Sequence, residues 1–330
     1  MALIAGRHEA TPRAGRQAAG TPHGRRGLAA ACCGGQNTPQ GRKPPMPATP
    51  RDAFRALLAG PGCVHPASVY DAATARIAAD IGYECGILGG SVASAAVLAA
   101  PDLMVMTLTE LAGLVRRITR AGPLPLLVDA DHGFGNALSA ARTVEELEAA
   151  GAAALTLEDT LLPQPFGESA TRLVSLEEGL GKLRAALAAR RDPALCVVAR
   201  TGALSATTLE DALERARAYA AAGADGLFLT GVQDLAQLAA LRAAVDIPLL
   251  VGGSREGLGD AATLAGLGVR VMLQGHHSFP AALRAVEETL RALRQGDAPA
   301  ANDPALLRRA LRAEDYAAAG RAFLQPSRPA

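Results

Sequence analysis

Residues 195–231 read LCVVARTGALSATTLEDALERARAYAAAGADGLFLTG. The run Leu195–Ala199 is apolar throughout, as in a strand buried on both faces, and it ends on Arg200-Thr201. A helical pattern follows over 207–222 and stops at Gly223, the position where a left-handed residue commonly ends a helix. A second apolar run, 226–231, comes directly after. Strand, helix, strand, with both strands near-continuously apolar, describes a parallel pair covered by its crossover helix.

The same unit recurs in both directions. Strands are predicted at 63–70, 85–90, 124–130, 154–159, 195–201, 226–231, 248–253 and 270–275. Helices are predicted near 72–81, 108–121, 143–150, 176–190, 207–222, 233–244, 260–266 and 279–294, and Gly151 and Gly268 stop two of them as Gly223 does. Eight such units define an α/β chain and match the number that closes a (β/α)8 barrel of TIM type, of about 220 residues, with C-terminal helices beyond it. An open doubly wound sheet is the alternative, but no G-x-G-x-x-G follows the first strand. The predicted organisation is a barrel domain over 51–330 preceded by a tail over 1–50.

Composition narrows the function classes. Of 330 residues, 49% are hydrophobic and 20% charged, enough for a large core and too little charge for global disorder. A net charge of +1 argues against a protein that works by neutralising many phosphates. That charge is uneven: residues 1–50 hold seven Lys/Arg against Glu9, or +6, which leaves −5 for the rest. The Gly-, Pro- and Arg-rich tail has no apolar period and is expected to be disordered, with Met46 a candidate initiator; a transit peptide is the alternative. Cys32, Cys33, Cys63, Cys85 and Cys196 are odd in number and lack C-x-x-C spacing, which speaks against a disulfide framework or zinc site and for a reducing, cytoplasmic setting. The longest uncharged run, Cys85–Pro101, is 17 residues and broken by Gly, Ser and Pro, too short to span a bilayer.

A barrel builds its active site at the C-terminal ends of its strands. Those ends carry Tyr70 and Asp71; Gly89, Gly90 and Ser91; Asp129, Asp131 and His132; Glu158 and Asp159; Arg200 and Thr201; and Gln274, His276 and His277. Period-2 alternation puts Asp129 and Asp131 on one side of a strand, and Glu158 ends the next strand. Three converging carboxylates repel unless a hard divalent cation sits among them. Mg2+, or Mn2+ in its place, suits one direct carboxylate with two others acting through water. Helix capping would explain Asp71 or Asp159 singly but not that convergence. Arg200 needs an anionic partner, either a substrate carboxylate or Glu158 or Asp159. Ser91, after two glycines, sits where backbone amides can approach an anion, or simply in a turn. One of His276 and His277 can donate to a substrate or move protons, or both lie at the surface.

Four stretches carry a resemblance: Gly86-Ile87-Leu88-Gly89-Gly90-Ser91-Val92-Ala93-Ser94, Asp129-Ala130-Asp131-His132-Gly133, Thr156-Leu157-Glu158-Asp159 and Ala199-Arg200-Thr201. In matching order across about residues 52–320, they resemble the isocitrate lyase/phosphoenolpyruvate mutase superfamily and, within it, the oxaloacetate decarboxylase family. The resemblance implies a (β/α)8 barrel, a homo-oligomer (dimer or tetramer) that exchanges a C-terminal helix, and Mg2+ bound with an α-keto acid. It implies that Asp129 binds the metal directly and that Asp131 and Glu158 hold its waters. Ser91, Arg200 and His276 match substrate-binding positions, and Asp129, Arg200 and His276 would carry the chemistry. The implied reaction is Mg2+-dependent decarboxylation of oxaloacetate to pyruvate and CO2, without nucleic acid or membrane partners. Alternatives are carbon–carbon lysis of a 2-methylisocitrate-like substrate, phosphonopyruvate-type chemistry, or a non-catalytic barrel that binds a keto acid. Two departures bear on the substrate: Gly202 stands where the family has Asn, and Gly252-Gly253-Ser254 where a tyrosine-containing loop is expected. The loop Leu161–Gly167 lacks the Lys-Lys-Cys-Gly-His motif of the lyases, and with it the thiol they use as an acid.

Overall fold

The computed structural model describes residues 49–253 and 258–325. Residues 1–48 of the tail expected to be disordered lie outside the described residues, as does Ser254. In chain order the elements are α1 (Pro50–Ala59), β1 (Ala67–Ser68), α2 (Ala72–Ile81), β2 (Gly86–Leu88), α3 (Gly90–Leu98), α4 (Leu108–Thr119), β3 (Leu126–Asp129), α5 (Ala137–Ala149), β4 (Ala154–Glu158), α6 (Leu176–Ala189) and β5 (Cys196–Thr201). There follow α7 (Ala203–Ala206), α8 (Leu209–Ala221), β6 (Gly226–Thr230), α9 (Leu235–Ala244), β7 (Leu249–Gly252), α10 (Ala261–Gly266), β8 (Val269–Met272), α11 (Ser278–Gln295), α12 (Pro304–Ala310) and α13 (Ala313–Phe323).

The eight strands form one sheet in sequential order, each parallel to the next. Val64, ahead of β1, bridges Val271 of β8: its N–H donates to Arg270 O and its carbonyl accepts from Met272 N–H, both at 2.9 Å. That bridge curls the sheet back on itself, and the barrel reading holds.

Alternation along the strands sorts the core into two parts. Leu126, Val128, Leu155, Leu157, Val197, Ala199, Leu227 and Leu229 point outward and pack with the helices. Ile87, Leu127, Ala154, Cys196, Val198, Phe228, Leu250 and Val271 fill the interior. Phe54 and Leu58 of α1 join that inner cluster and close its N-terminal end. Continuing the inward stripe by two residues reaches Asp129, Thr156, Arg200, Thr230 and Gly252, and one further step along β4 reaches Glu158. Period-2 geometry thus turns an apolar plug into a polar rim within one step of each strand.

The sequence reading needs correction in several places. β1 is only two residues long, because Pro66 interrupts the run predicted over 63–70. α5 starts at Ala137 rather than near 143, capped by Asn136, whose side chain accepts from Leu138 and Ser139 N–H. α1 begins inside the last residues assigned to the tail: Thr49 and Asp52 form a capping box and Pro50 occupies the first turn. α3 went unread because it is apolar or small all round (GSVASAAVL) and shows no amphipathic period. The glycine stops at 151, 223 and 268 all adopt left-handed φ, between 80° and 96°. Cys63, Cys85 and Cys196 are free thiols. Among the described residues no helix is long and apolar enough to cross a membrane.

Candidate active site

Asp129 is the last residue of β3 and faces inward above Leu127. Its Oδ1 accepts from Thr156 Oγ1 at 3.1 Å and from the Asp131 N–H at 3.2 Å, and its Oδ2 accepts from the Gly90 N–H at 3.4 Å. Arg200 Nη1 donates to both oxygens at 2.8 and 2.7 Å, while Arg200 Nε pairs with Glu158 Oε2 at 3.0 Å. The guanidinium carbon lies 5.5 Å from the centre of the Phe228 ring, within cation–π range. A Cβ on Gly252 would fall 2.8 Å from that ring, so the glycine makes room for the aromatic that backs Arg200. Of the two readings of Arg200, the ion pair with Glu158 is present. Asp159 does not join it.

Asp159 is buried and turned outward, where its Oδ2 accepts from Arg215 Nη1 at 3.0 Å and Tyr219 Oη at 2.8 Å. The capping role expected of it is therefore wrong; its partner is a buried arginine on α8. Asp71 does cap, accepting from Thr74 N–H at 2.7 Å.

Asp131 reaches the cluster by another route than the one expected. β3 ends at Asp129, and Asp131 has a left-handed φ of 48° in the following turn, so strand alternation does not place it. Its carbonyl accepts from Glu158 N–H at 2.8 Å, which locks the turn to β4. A Cβ on Gly90 would meet Asp131 Oδ1 at 2.7 Å, so only glycine lets this carboxylate approach α3 so closely. A fourth carboxylate, Asp102, lines the small cavity that also contains Gly90, Ser94 and Asp131. It sits in a coil after Pro101 rather than at a strand end, and a search of strand ends has no signal for it.

The electrostatics record an excess of negative charge. Burial pushes the Asp131 carboxyl up to about 9, with Asp129, Asp102 and Glu158 adding repulsion. Burial likewise raises Glu158 to about 7, against the pull of Arg200. Asp102 is raised by burial and then by Asp129. For Asp129, burial acts upward too, but the Arg200 guanidinium outweighs it and holds the carboxyl below its ordinary value. Arg200 has not neutralised the site; it has neutralised one member of it.

His276 lies across the rim from this cluster. Its Nδ1 is 2.7 Å from Ser68 Oγ, and its Nε2 would be 2.5 Å from a Cβ on Gly89. His277 is exposed and turned back to Gln274 O at 2.9 Å, so the structure separates the two histidines. Ser91 is exposed in the first turn of α3, a helix whose N-cap, Gly89, supplies no side chain. Apart from the Gly90 N–H, which donates to Asp129, the amides of that turn are thus left for an anion. Asp102, Asp131, Glu158, Thr160, Arg200, Gly202, Ser205 and Thr230 line a cavity of about 760 Å³ over the rim.

These residues suit a magnesium ion in one particular manner. Among the described residues no three His, Cys, Asp or Glu side chains are close enough to hold an ion together. One direct carboxylate with others acting through water meets that condition, and oxygen-only donors match a hard cation that keeps its waters.

The fold and rim define an α/β barrel of a known class. The family model for phosphoenolpyruvate phosphomutase matches residues 54–294, and the chain belongs to that family. It is 56% identical over 251 residues to an oxaloacetate decarboxylase of Bradyrhizobium diazoefficiens, covering 76% of this chain and 87% of that one. Among solved structures, an oxaloacetate acetylhydrolase in complex with 3,3-difluorooxalacetate superposes with a TM-score of 0.76 at 29% identity, covering 86% of this chain and 99% of the other. A phosphonopyruvate hydrolase in complex with oxalate and Mg2+ gives a TM-score of 0.74 at 30% identity, covering 84% and 100%.

Proposed function

We propose that this protein is a Mg2+-dependent oxaloacetate decarboxylase that yields pyruvate and CO2. The observation that carries the reading is the imbalance at the rim: Asp102, Asp129, Asp131 and Glu158 face a single guanidinium, beside a helix N-terminus whose N-cap glycine supplies no side chain. The first feature calls for a cation and the second for an anion, and a metal-chelating keto acid supplies both.

Asp129 would hold the metal directly, with Asp131 and Glu158 holding its waters. When bound, Mg2+ supplies a Lewis acid for the electron pair released by decarboxylation. The rest falls to the protein. The amides opening α3, Ser91 and Arg200 fix the carboxylate next to the keto group, and His276 donates toward the keto oxygen. The distal carboxylate then extends toward Gly202, Ser205 and Thr230. Among the described residues lining this cavity, Arg200 is the one cationic side chain. That suits decarboxylation, because a cation on the departing carboxylate would stabilise the ground state and raise the barrier. The C3–C4 bond breaks, its electron pair moves to the C2 oxygen, CO2 leaves, and C3 takes a proton from solvent in the cavity.

The loop from Thr160 to Thr171 carries neither cysteine nor lysine, which weighs against carbon–carbon lysis by a loop thiol. The exposed face of α11 supports a homo-oligomer: Leu283, Val286, Leu290 and Leu293 form a helical stripe, and no residue of α11 is buried. Nothing in the mechanism calls for a membrane or nucleic acid, and a cytoplasmic setting is part of the proposal.

The deciding assay follows oxaloacetate loss and pyruvate formation with Mg2+, with EDTA, and after Mg2+ is restored. Turnover that disappears with EDTA and returns with metal is expected. Metal-independent turnover overturns the mechanism. No turnover, together with Mg2+-dependent binding of oxalate, would favour the keto-acid-binding alternative.

A further inference from the structure

The last residue of β1, Ser68, faces the barrel rim at the closure between the first and last strands. Its Oγ is 2.7 Å from His276 Nδ1 and has no other hydrogen-bond partner among the described residues. Its carbonyl accepts from Ser278 Oγ at 2.8 Å, so the segment carrying His276 is tied to β1 twice, at the imidazole and two residues beyond it. On the other edge of the ring, Nε2 lies so near Gly89 that a Cβ there would come within 2.5 Å. The next residue, Gly90, points its N–H at Asp129 Oδ2. Nδ1 therefore faces a hydroxyl in the wall, and Nε2 faces the carboxylates and the mouth of α3.

We propose that Ser68 is a positioning residue: its hydroxyl donates to His276 Nδ1 and so places the ring's single proton on Nε2, aimed at the bound keto acid. The reading rests on His276 as a substrate-binding group of the proposed decarboxylase. Burial holds the imidazole below its ordinary pKa, against the pull of Asp129, so the ring is neutral and carries one N–H. With the proton on Nδ1, an Nε2 lone pair would face the Asp129 carboxylate and a negatively charged substrate, an arrangement of acceptors with no donor between them. With the proton on Nε2, every contact closes: serine to Nδ1, and Nε2–H to the keto oxygen. The hydrogen bond on one imidazole nitrogen sets the state of the other. Gly89 gives the ring its place against the backbone and Ser68 gives it its tautomer. His277, bound to a backbone carbonyl and exposed, has neither support.

The test labels the histidines of the full-length protein with 15N and reads ring protonation from long-range 1H–15N correlations at neutral pH. The His276 signals are identified by their loss in His276→Asn. The expected wild-type state is a protonated Nε2 and a bare Nδ1. In Ser68→Ala that state should give way to a mixture, and kcat/KM for oxaloacetate should fall about tenfold, the weight of one orienting hydrogen bond. Ser68→Thr, which keeps the hydroxyl, should restore both. A wild-type ring protonated on Nδ1, or a Ser68→Ala protein with wild-type tautomer and kcat/KM, overturns the proposal. If Ser68→Ala does not fold, the wild-type and Ser68→Thr spectra still decide it. Absence of oxaloacetate turnover in the wild type would refute the decarboxylase reading separately, since the tautomer is read without activity.

Discussion

The two ends of the barrel treat charge in opposite ways. At the N-terminal end Asp225 accepts from Arg55 at 3.0 Å, from Arg190 at 2.6 Å and from the Val197 N–H at 2.8 Å. Asp192 pairs with Arg51 beside it, and Arg51 also donates to the carbonyls of Ala152 and Glu148. Asp225 and Asp192 thus each have a cation, and Glu148 accepts from the backbone N–H groups of Arg191 and Asp192. At the C-terminal end four carboxylates share Arg200, and burial with mutual repulsion raises three of them. Repulsion left standing at one end and relieved at the other fits the proposal that the first end takes a ligand of opposite charge. One end holds the barrel together and the other holds what it acts on.

The sharpest way to break this contrast is at Asp129. Asp129→Ala should lower turnover by about 1,000-fold or more, since it removes the proposed direct metal ligand and the partner of Arg200. The barrel should stay folded, because Leu126, Leu127 and Val128 below it supply the packing. Asp131→Asn should cost about 10- to 100-fold, the usual weight of a group acting through a ligand's water. Steady-state kinetics with calorimetric Mg2+ titration of each variant checks the order. If Asp131→Asn equals Asp129→Ala, the division into direct and water-mediated carboxylates is wrong.

A smaller effect should appear in stability against pH. In the metal-free protein Asp131 titrates near 9 and Glu158 near 7, both above their unfolded values. The folded state therefore holds protons that the unfolded state has lost, beginning near the ordinary carboxylate range of about 4. Stability from this source is fully present below that range and is lost as pH rises, through about 7 for Glu158 and about 9 for Asp131. Mg2+ favours the ionised forms, so the stabilisation it gives should grow from pH 5 to 9. Urea midpoints with EDTA and with Mg2+ across that interval measure the gap. A gap that stays constant, or an Asp131→Asn protein with the wild-type slope, would remove the rim imbalance as its cause.

Much of this contrast is legible in the sequence, and the illegible part has a physical pattern. Asp129, Glu158 and Arg200 end apolar strands, so alternation alone turns them into the barrel. Alternation predicts Asp131 beside Asp129, but a left-handed turn rather than a pleat brings it there. Asp102 and Ser68 were not read at all. Asp102 lies in a coil and Ser68 in a two-residue strand, and both gain their meaning from partners far along the chain. Asp159 looked like a cap until the fold brought Arg215 to it from 56 residues away. Periodicity reports which way a side chain points; it does not report what waits there.

The smallest effect on turnover is expected where the effect on the fold is plain. Asp225→Ala removes one carboxylate that serves two arginines and a backbone amide at the base of β5. Arg55 is 40% exposed and Arg190 20%, so solvent takes up part of the loss, and the change should cost about 2 kcal/mol rather than the 3–5 of a fully buried pair. None of these groups reaches the rim. At saturating Mg2+, kcat and KM for oxaloacetate should therefore match the wild type once corrected for the folded fraction, while the urea midpoint drops. A loss of turnover in folded Asp225→Ala protein would show that the N-terminal end communicates with the site through the inner core of Cys196, Val198 and Phe228. The separation of holding end from acting end would then fail. Unchanged kinetics with a lowered midpoint would place the two ends under independent control: paired charges set stability at one, and unpaired charges set chemistry at the other.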